Sequence, residues 1–157
     1  MSSSEVLILA FLIGVIAGLR ALTAPAAVAW AGFGHGILNH TPLRFMGRLP
    51  AAIVFTVLAL LEMYADQLPS TASRLAPAGL ISRIVTGGLS GACLAAAAAE
   101  SIALGCVLGA VGGVVGAFAG YYARTGVVKA LKVPDLPIAL LEDAIAIGGA
   151  IFIVSRF

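Results

Sequence analysis

Five ionisable side chains lie inside apolar runs of this sequence: Arg20 in GVIAGLRAL, Glu62 and Asp66 in LALLEMYADQLP, and Glu142 and Asp143 in ALLEDAIAI. A charge in hydrocarbon costs at least about 2.5 kcal/mol and is kept where it meets a cavity or a partner. Glu62 and Asp66 are four residues apart, on one face of a helix. Two carboxylates so close favour holding a proton between them, which suits uptake of a proton or a cation. Glu142 and Asp143 are adjacent and point about 100° apart on a helix. Only one of them is expected to face as Glu62 does, and the repeat described below selects Glu142. Arg20 is the natural counter-charge. All five are candidate substrate- or ion-binding residues. The plainer use of the same charges is to tie helices together or to sit at the membrane interface.

Other chemistries find less footing. His35 and His40 are five apart in a glycine-rich stretch with no Cys or acid between them, a poor spacing for metal ligands on one helix. Cys93 and Cys106 lie within GACLAAAAA and LGCVLGAV, where thiols pack as small hydrophobes rather than pair. Glycines 109–116 follow no strand and lack the downstream acid of a nucleotide-binding loop. No Ser/His/Asp or Cys/His set shares a location, which argues against a nucleophilic enzyme, and no cofactor is expected. A net charge of +2, with no basic run interleaved with aromatics, argues against nucleic acid as a partner.

Helices must hold the five charges. The 157 residues are 61% apolar and 10% charged, with mean hydropathy +1.11, whereas soluble domains carry about 25% charged residues. A bilayer core of roughly 30 Å takes about 20 helical residues per crossing. The chain therefore reads as one all-α integral membrane domain over 1–157, with four or five crossings and no separate catalytic domain. A first helix over 6–30 starts at Ser2, Ser3 or Ser4 with Glu5 in its first turn, and Pro25 is expected to kink it. MSSSE has no Lys or Arg, so this segment reads as a retained helix rather than a signal peptide. Residues 32–49 form a loop or a re-entrant element. A second helix runs from Pro50 to Pro69, and residues 70–82 make a short connection that suits an amphipathic surface helix. Residues 84–128 hold no proline and exceed one crossing, so Glu100-Ser101 divides them into helices over 84–99 and 102–123. The last helix covers 137–154. The count is five crossings, or four plus a re-entrant hairpin.

Orientation is weakly encoded. With a cytoplasmic N-terminus the inner connections carry Arg74, Arg83, Arg124, Lys129 and Lys132, against Arg44, Arg48 and Arg156 outside. Dual insertion into an antiparallel dimer is the other reading. Trp30, Tyr64, Tyr121 and Tyr122 fall near helix ends and suit the aromatic belt. Small-residue spacing at Gly14/Gly18, Gly87/Gly91, Gly105/Gly109/Gly113 and Gly112/Gly116/Gly120 lets backbones approach closely. The fourth helix carries such residues on more than one face, so it is expected to be central, touching several neighbours or a symmetry mate. A homo-oligomer, most simply a dimer, follows as the expected state.

The tetrapeptide Ala59-Leu60-Leu61-Glu62 recurs as Ala139-Leu140-Leu141-Glu142, followed by Asp66 or Asp143 and preceded by a glycine-rich helix with Arg20 or Arg124. Candidate halves are 5–83 and 102–157. With an odd number of crossings between the copies they form an inverted repeat with a site at its interface; chance recurrence of four common residues is the alternative. The pattern AGLRA, LALLEMYADQLP and ALLED resembles a bacterial inner-membrane family, domain of unknown function 4126. That resemblance implies a small polytopic inner-membrane protein and assigns no activity and no site residue. The expected function is a small transporter or channel for a solute or ion, coupled to protons or cations through buried acids. A non-catalytic subunit of a larger membrane complex is the alternative, for which the acids are dispensable.

Overall fold

In a computed structural model, residues 1–66, 75–132 and 134–157 are described, and they form six helices. These are α1 (Ser3–Leu19), α2 (Thr23–His35), α3 (Leu49–Ala65), α4 (Pro77–Ala97), α5 (Ile102–Leu131) and α6 (Asp135–Val154). Helices α4, α5 and α6 are long and apolar enough to cross a membrane; α1 and α3 are apolar helices of 17 residues. At 13 residues α2 rises about 20 Å, short of a full crossing.

The local signals read from sequence act at several ends. Ser2 and Glu5 form a capping box on α1, Pro50 sits in the first turn of α3, and Ser101 caps α5 by accepting from Leu104 N. The turn between α4 and α5 passes through Ala99 at φ 56°. Side chains at that turn reach the start of α1, where Ser3 donates to Glu100.

Glycines bring α1, α4 and α5 into backbone contact. An added Cβ on Gly14 would lie 2.1 Å from the Gly109 carbonyl oxygen, one on Gly109 2.2 Å from that of Gly87, and one on Gly112 2.2 Å from that of Phe11. Gly105, Gly109 and Gly113 face α4, while Gly112 and Gly116 face α1. The two small-residue faces of α5 are thus occupied within one chain; its outer face presents Leu104, Val107, Val111, Val115, Phe118 and Tyr122.

Contacts fix the directions. Gly18 meets Arg83 and Ala10 meets Gly91, so α4 is antiparallel to α1; Gly14 meets Gly109 and Gly18 meets Gly113, so α5 is parallel to it. Trp30 pairs with Thr56 and Leu22 with Glu62, so α3 runs back along α2. Helix α6 starts beside Arg124 and ends beside Met1 and Glu5. The end of α2 at His35 also lies against the last turn of α6, so α1 and α2 form a hairpin and the six helices alternate in direction.

Three expectations need correction. The apolar run 6–30 is two helices that reverse at Arg20–Leu22. Pro25 acts through the carbonyl four residues back, Ala21, which a continuous helix would drive into the ring; the break falls there, and Pro25 sits comfortably in the first turn of α2. With this hairpin, the five-crossing layout gives way to six helices, and the N-terminus lies at the opposite end from the α5–α6 connection. The helix expected over 102–123 continues to Leu131, so Arg124 and Lys129 are helical. The surface helix expected over 70–82 falls partly outside the described residues, and from Pro77 onward the chain is α4. As for the repeat, α1 and α5, which carry or end at Arg20 and Arg124, run the same way, while α3 and α6, which carry the two ALLE copies, run opposite ways.

Candidate functional site

Reversing the chain within an apolar bundle leaves helix-end amides and carbonyls that need partners. Glu62, near the end of α3, accepts from Ala21 N at 2.8 Å and Leu22 N at 2.9 Å, with one carboxylate oxygen for each. Arg83, near the start of α4, donates to the Gly18 carbonyl at 3.0 Å and the Gly79 carbonyl at 2.9 Å. Its remaining nitrogen lies 3.6 Å from Glu62. A carboxylate therefore sits at the N-terminus of α2 and a guanidinium at the C-terminus of α1, each where the helix dipole favours its sign.

Between these caps lies Arg20, fully buried. Its Nε donates to Asp143 and its Nη1 to Asp66. Its Nη2 has no hydrogen-bond partner among the described residues. Arg124 on α5 approaches from the next side. It donates to both oxygens of Asp135 and lies 3.3 Å from Asp66 and 3.5 Å from Glu142. Asp66 is thereby shared between Arg20 and Arg124. Glu142 and Asp143 are both buried, as is Arg83.

The structure brings Arg20, Asp66, Glu142 and Asp143 together through Arg124, and places Glu62 beside them on the backbone amides that follow Arg20. Two pairings differ from expectation. Arg20 pairs with Asp66 and Asp143 rather than with Glu62, whose oxygens are taken by the α2 amides. Glu142 and Asp143 both face inward, because guanidiniums reach α6 from two neighbouring helices: Arg20 from α1 and Arg124 from α5. A separation of about 100° serves two partners on adjacent sides. Sequence reasoning missed Arg83 and Arg124 as members. The second had a signal, since Arg124 holds the place of Arg20 ahead of the second ALLE; Arg83 had none.

One regularity organises the network. Arg20, Arg83 and Arg124 belong to α1, α4 and α5, the glycine-packed helices, whereas Glu62, Asp66, Asp135, Glu142 and Asp143 belong to α3 and α6. Each of these ion pairs crosses between the two groups of helices. Among the described residues no three His, Cys, Asp or Glu side chains are grouped to hold a metal. No family model, curated protein or solved structure matches the chain, and the family resemblance rests on its short motifs alone.

Proposed function

We propose that this protein is a small transporter of the bacterial inner membrane, in which a proton or cation taken up by the buried carboxylates loosens α3 and α6 from the α1/α4/α5 frame. The observation that carries the reading is the distribution of charge in the described ion pairs, with guanidiniums on the frame and carboxylates on the outer helices. Neutralising Asp66 or Asp143 removes attraction across that boundary while leaving the backbone contacts inside the frame intact. A pair serving only to hold the fold has no need of such one-sidedness, and buried ion pairs are in any case weak sources of net stability. The turn at Arg20–Leu22 supplies a second element able to respond, since Glu62 holds the first amides of α2 from across the same boundary.

Proteoliposomes loaded with a pH-sensitive dye and energised by a potassium diffusion potential test this. Wild-type protein should carry protons above the rate of empty vesicles, and Asp66→Asn or Asp143→Asn should return the rate to that baseline. A spin-label pair on exposed Leu60 of α3 and Val107 of α5 should change separation between pH 8 and pH 5. Flux at baseline together with an unchanged separation would instead favour a non-catalytic subunit of a membrane complex.

A further inference from the structure

We propose that the cavity between α2, α3 and α6 is a binding site for a small, mostly apolar molecule bearing one hydroxyl or carbonyl oxygen, which Thr23 receives. This deepens the transporter reading by naming a substrate class, and its test reads binding without transport. The cavity measures about 220 Å³ and is walled by Trp30, Thr56, Met63, Ile147 and Ala150, with Thr23 at one side.

Thr23 is 6% exposed, and its hydroxyl has no hydrogen-bond partner among the described residues. Threonines inside a helix donate to the carbonyl four residues back, as Thr56 and Thr86 do here; Thr23 opens α2 and has no such helical carbonyl behind it. A buried hydroxyl left without a partner is unfavourable and asks for an external one. The other polar groups on the wall are satisfied: Trp30 Nε1 donates to Thr56 Oγ1 at 2.9 Å, and that hydroxyl donates to the Ala52 carbonyl at 2.7 Å. The site is therefore an apolar box with one unsatisfied donor in its wall, the Thr23 hydroxyl, which has almost no accessible surface as it stands and enters the cavity by rotation about the Cα–Cβ bond. An apolar cavity of about 150 Å³ accommodates benzene, so this one takes a six-membered ring with a short substituent.

Its place in the fold ties occupancy to the charge network. Thr23 directly follows Leu22, whose amide Glu62 holds, and Ile147 lies one turn beyond Asp143 on α6. The rim carries exposed Leu60 and Ile151, which opens the cavity sideways to the lipid-facing surface.

Trp30 is the chain's single tryptophan, so its emission reports the cavity directly. Cyclohexanol and methylcyclohexane, which differ by a hydroxyl in place of a methyl, should both change that emission saturably in the purified full-length protein. Thr23→Val, which keeps the side chain's shape, should weaken cyclohexanol about five-fold, the worth of one neutral hydrogen bond, and leave methylcyclohexane unchanged. Thr23→Ser should retain the cyclohexanol affinity, and Ala27→Leu, which fills the wall, should abolish both responses. A linear, non-saturating change, as expected if acyl or detergent chains merely fill the groove, would overturn the site. So would a Thr23→Val protein that binds cyclohexanol as wild type does. Because these readouts need no flux, intact binding with absent flux would count against the transporter reading alone.

Discussion

Helices α1, α4 and α5 are held together by glycine, whereas α2, α3 and α6 bury mainly alanine and leave gaps between them. In the first group an added methyl would meet a backbone atom within 2.6 Å at Gly14, Gly18, Gly87, Gly109 and Gly112. In the second, cavities of about 220 and 420 Å³ open among α2, α3 and α6, others of about 240 and 250 Å³ lie between α6 and the frame, and α3 buries only Ala52 and Ala59. Lipid chains are as apolar as leucine, so helix association in a bilayer depends on close packing and polar contacts. The frame uses the first and the outer helices depend on the second. A bundle built this way can move its outer helices by changing charge, without disturbing its tightest contacts.

The largest expected effect tests whether charge holds the outer group. Arg20→Ala strands Asp143 and removes one of the partners of Asp66, and should cost about 3–5 kcal/mol, the usual penalty for breaking a buried pair from one side. Arg20→Ala combined with Asp143→Asn should recover a measurable part of that loss in chemical denaturation from micelles. The double-mutant cycle reads the coupling; purely additive losses would mean that the two charges do not interact.

Gly109→Ala comes next, at about 1–3 kcal/mol from overpacking. Its Cβ would sit 2.2 Å from the Gly87 carbonyl oxygen, and both are backbone positions that move only if the helices separate. The loss should be the same in an Asp143→Asn background, unlike that of Arg20→Ala. An equal dependence of both on that background would erase the distinction between frame and outer helices.

The contrast explains what the sequence disclosed. Buried acids stand out against apolar runs, so Glu62, Asp66, Glu142, Asp143 and Arg20 were identifiable, and glycine spacing pointed to close packing around α5. Hydropathy carries no direction, so the reversal at Arg20–Leu22 inside a continuous apolar run was hidden; its trace was Pro25, whose conflict lies with the carbonyl of Ala21 rather than at its own position. Hydropathy ends a helix at its first basic residue and so leaves Arg83 and Arg124 in connections, whereas α4 starts at Pro77 and α5 passes through Arg124 to Leu131. The pairing of Glu62 with amides of α2 depends on that unseen turn.

Glu62→Gln should have a smaller effect, about 1–2 kcal/mol, comparable to loss of a helix cap. The amide oxygen still accepts from one of Ala21 N and Leu22 N, while the charge at the start of α2 is lost. Hydrogen exchange should quicken at residues 21–26 and stay unchanged in α5. Exchange that quickens equally in both would place Glu62 among the supports of the frame.

The smallest effect carries the most information about what lies outside the chain. Gly148, on the exposed face of α6, has nothing within 4 Å of where its Cβ would be. Replacing a helical glycine by alanine at an open position gains up to about 1 kcal/mol from backbone entropy, so Gly148→Ala should raise the unfolding midpoint slightly. The small residues on α5 that suggest a homo-oligomer from the sequence are occupied within the chain by α1 and α4. On α6, Ala144 and Gly148 stand four apart on the exposed face, with the spacing that lets a second helix approach. If a second copy packs there, Gly148→Ala should lower stability as Gly109→Ala does, and Gly148→Leu should convert a dimer to a monomer in native mass spectrometry. If Gly148→Ala stabilises and Gly148→Leu leaves the assembly unchanged, that face meets lipid, and α6 remains free to move against the frame.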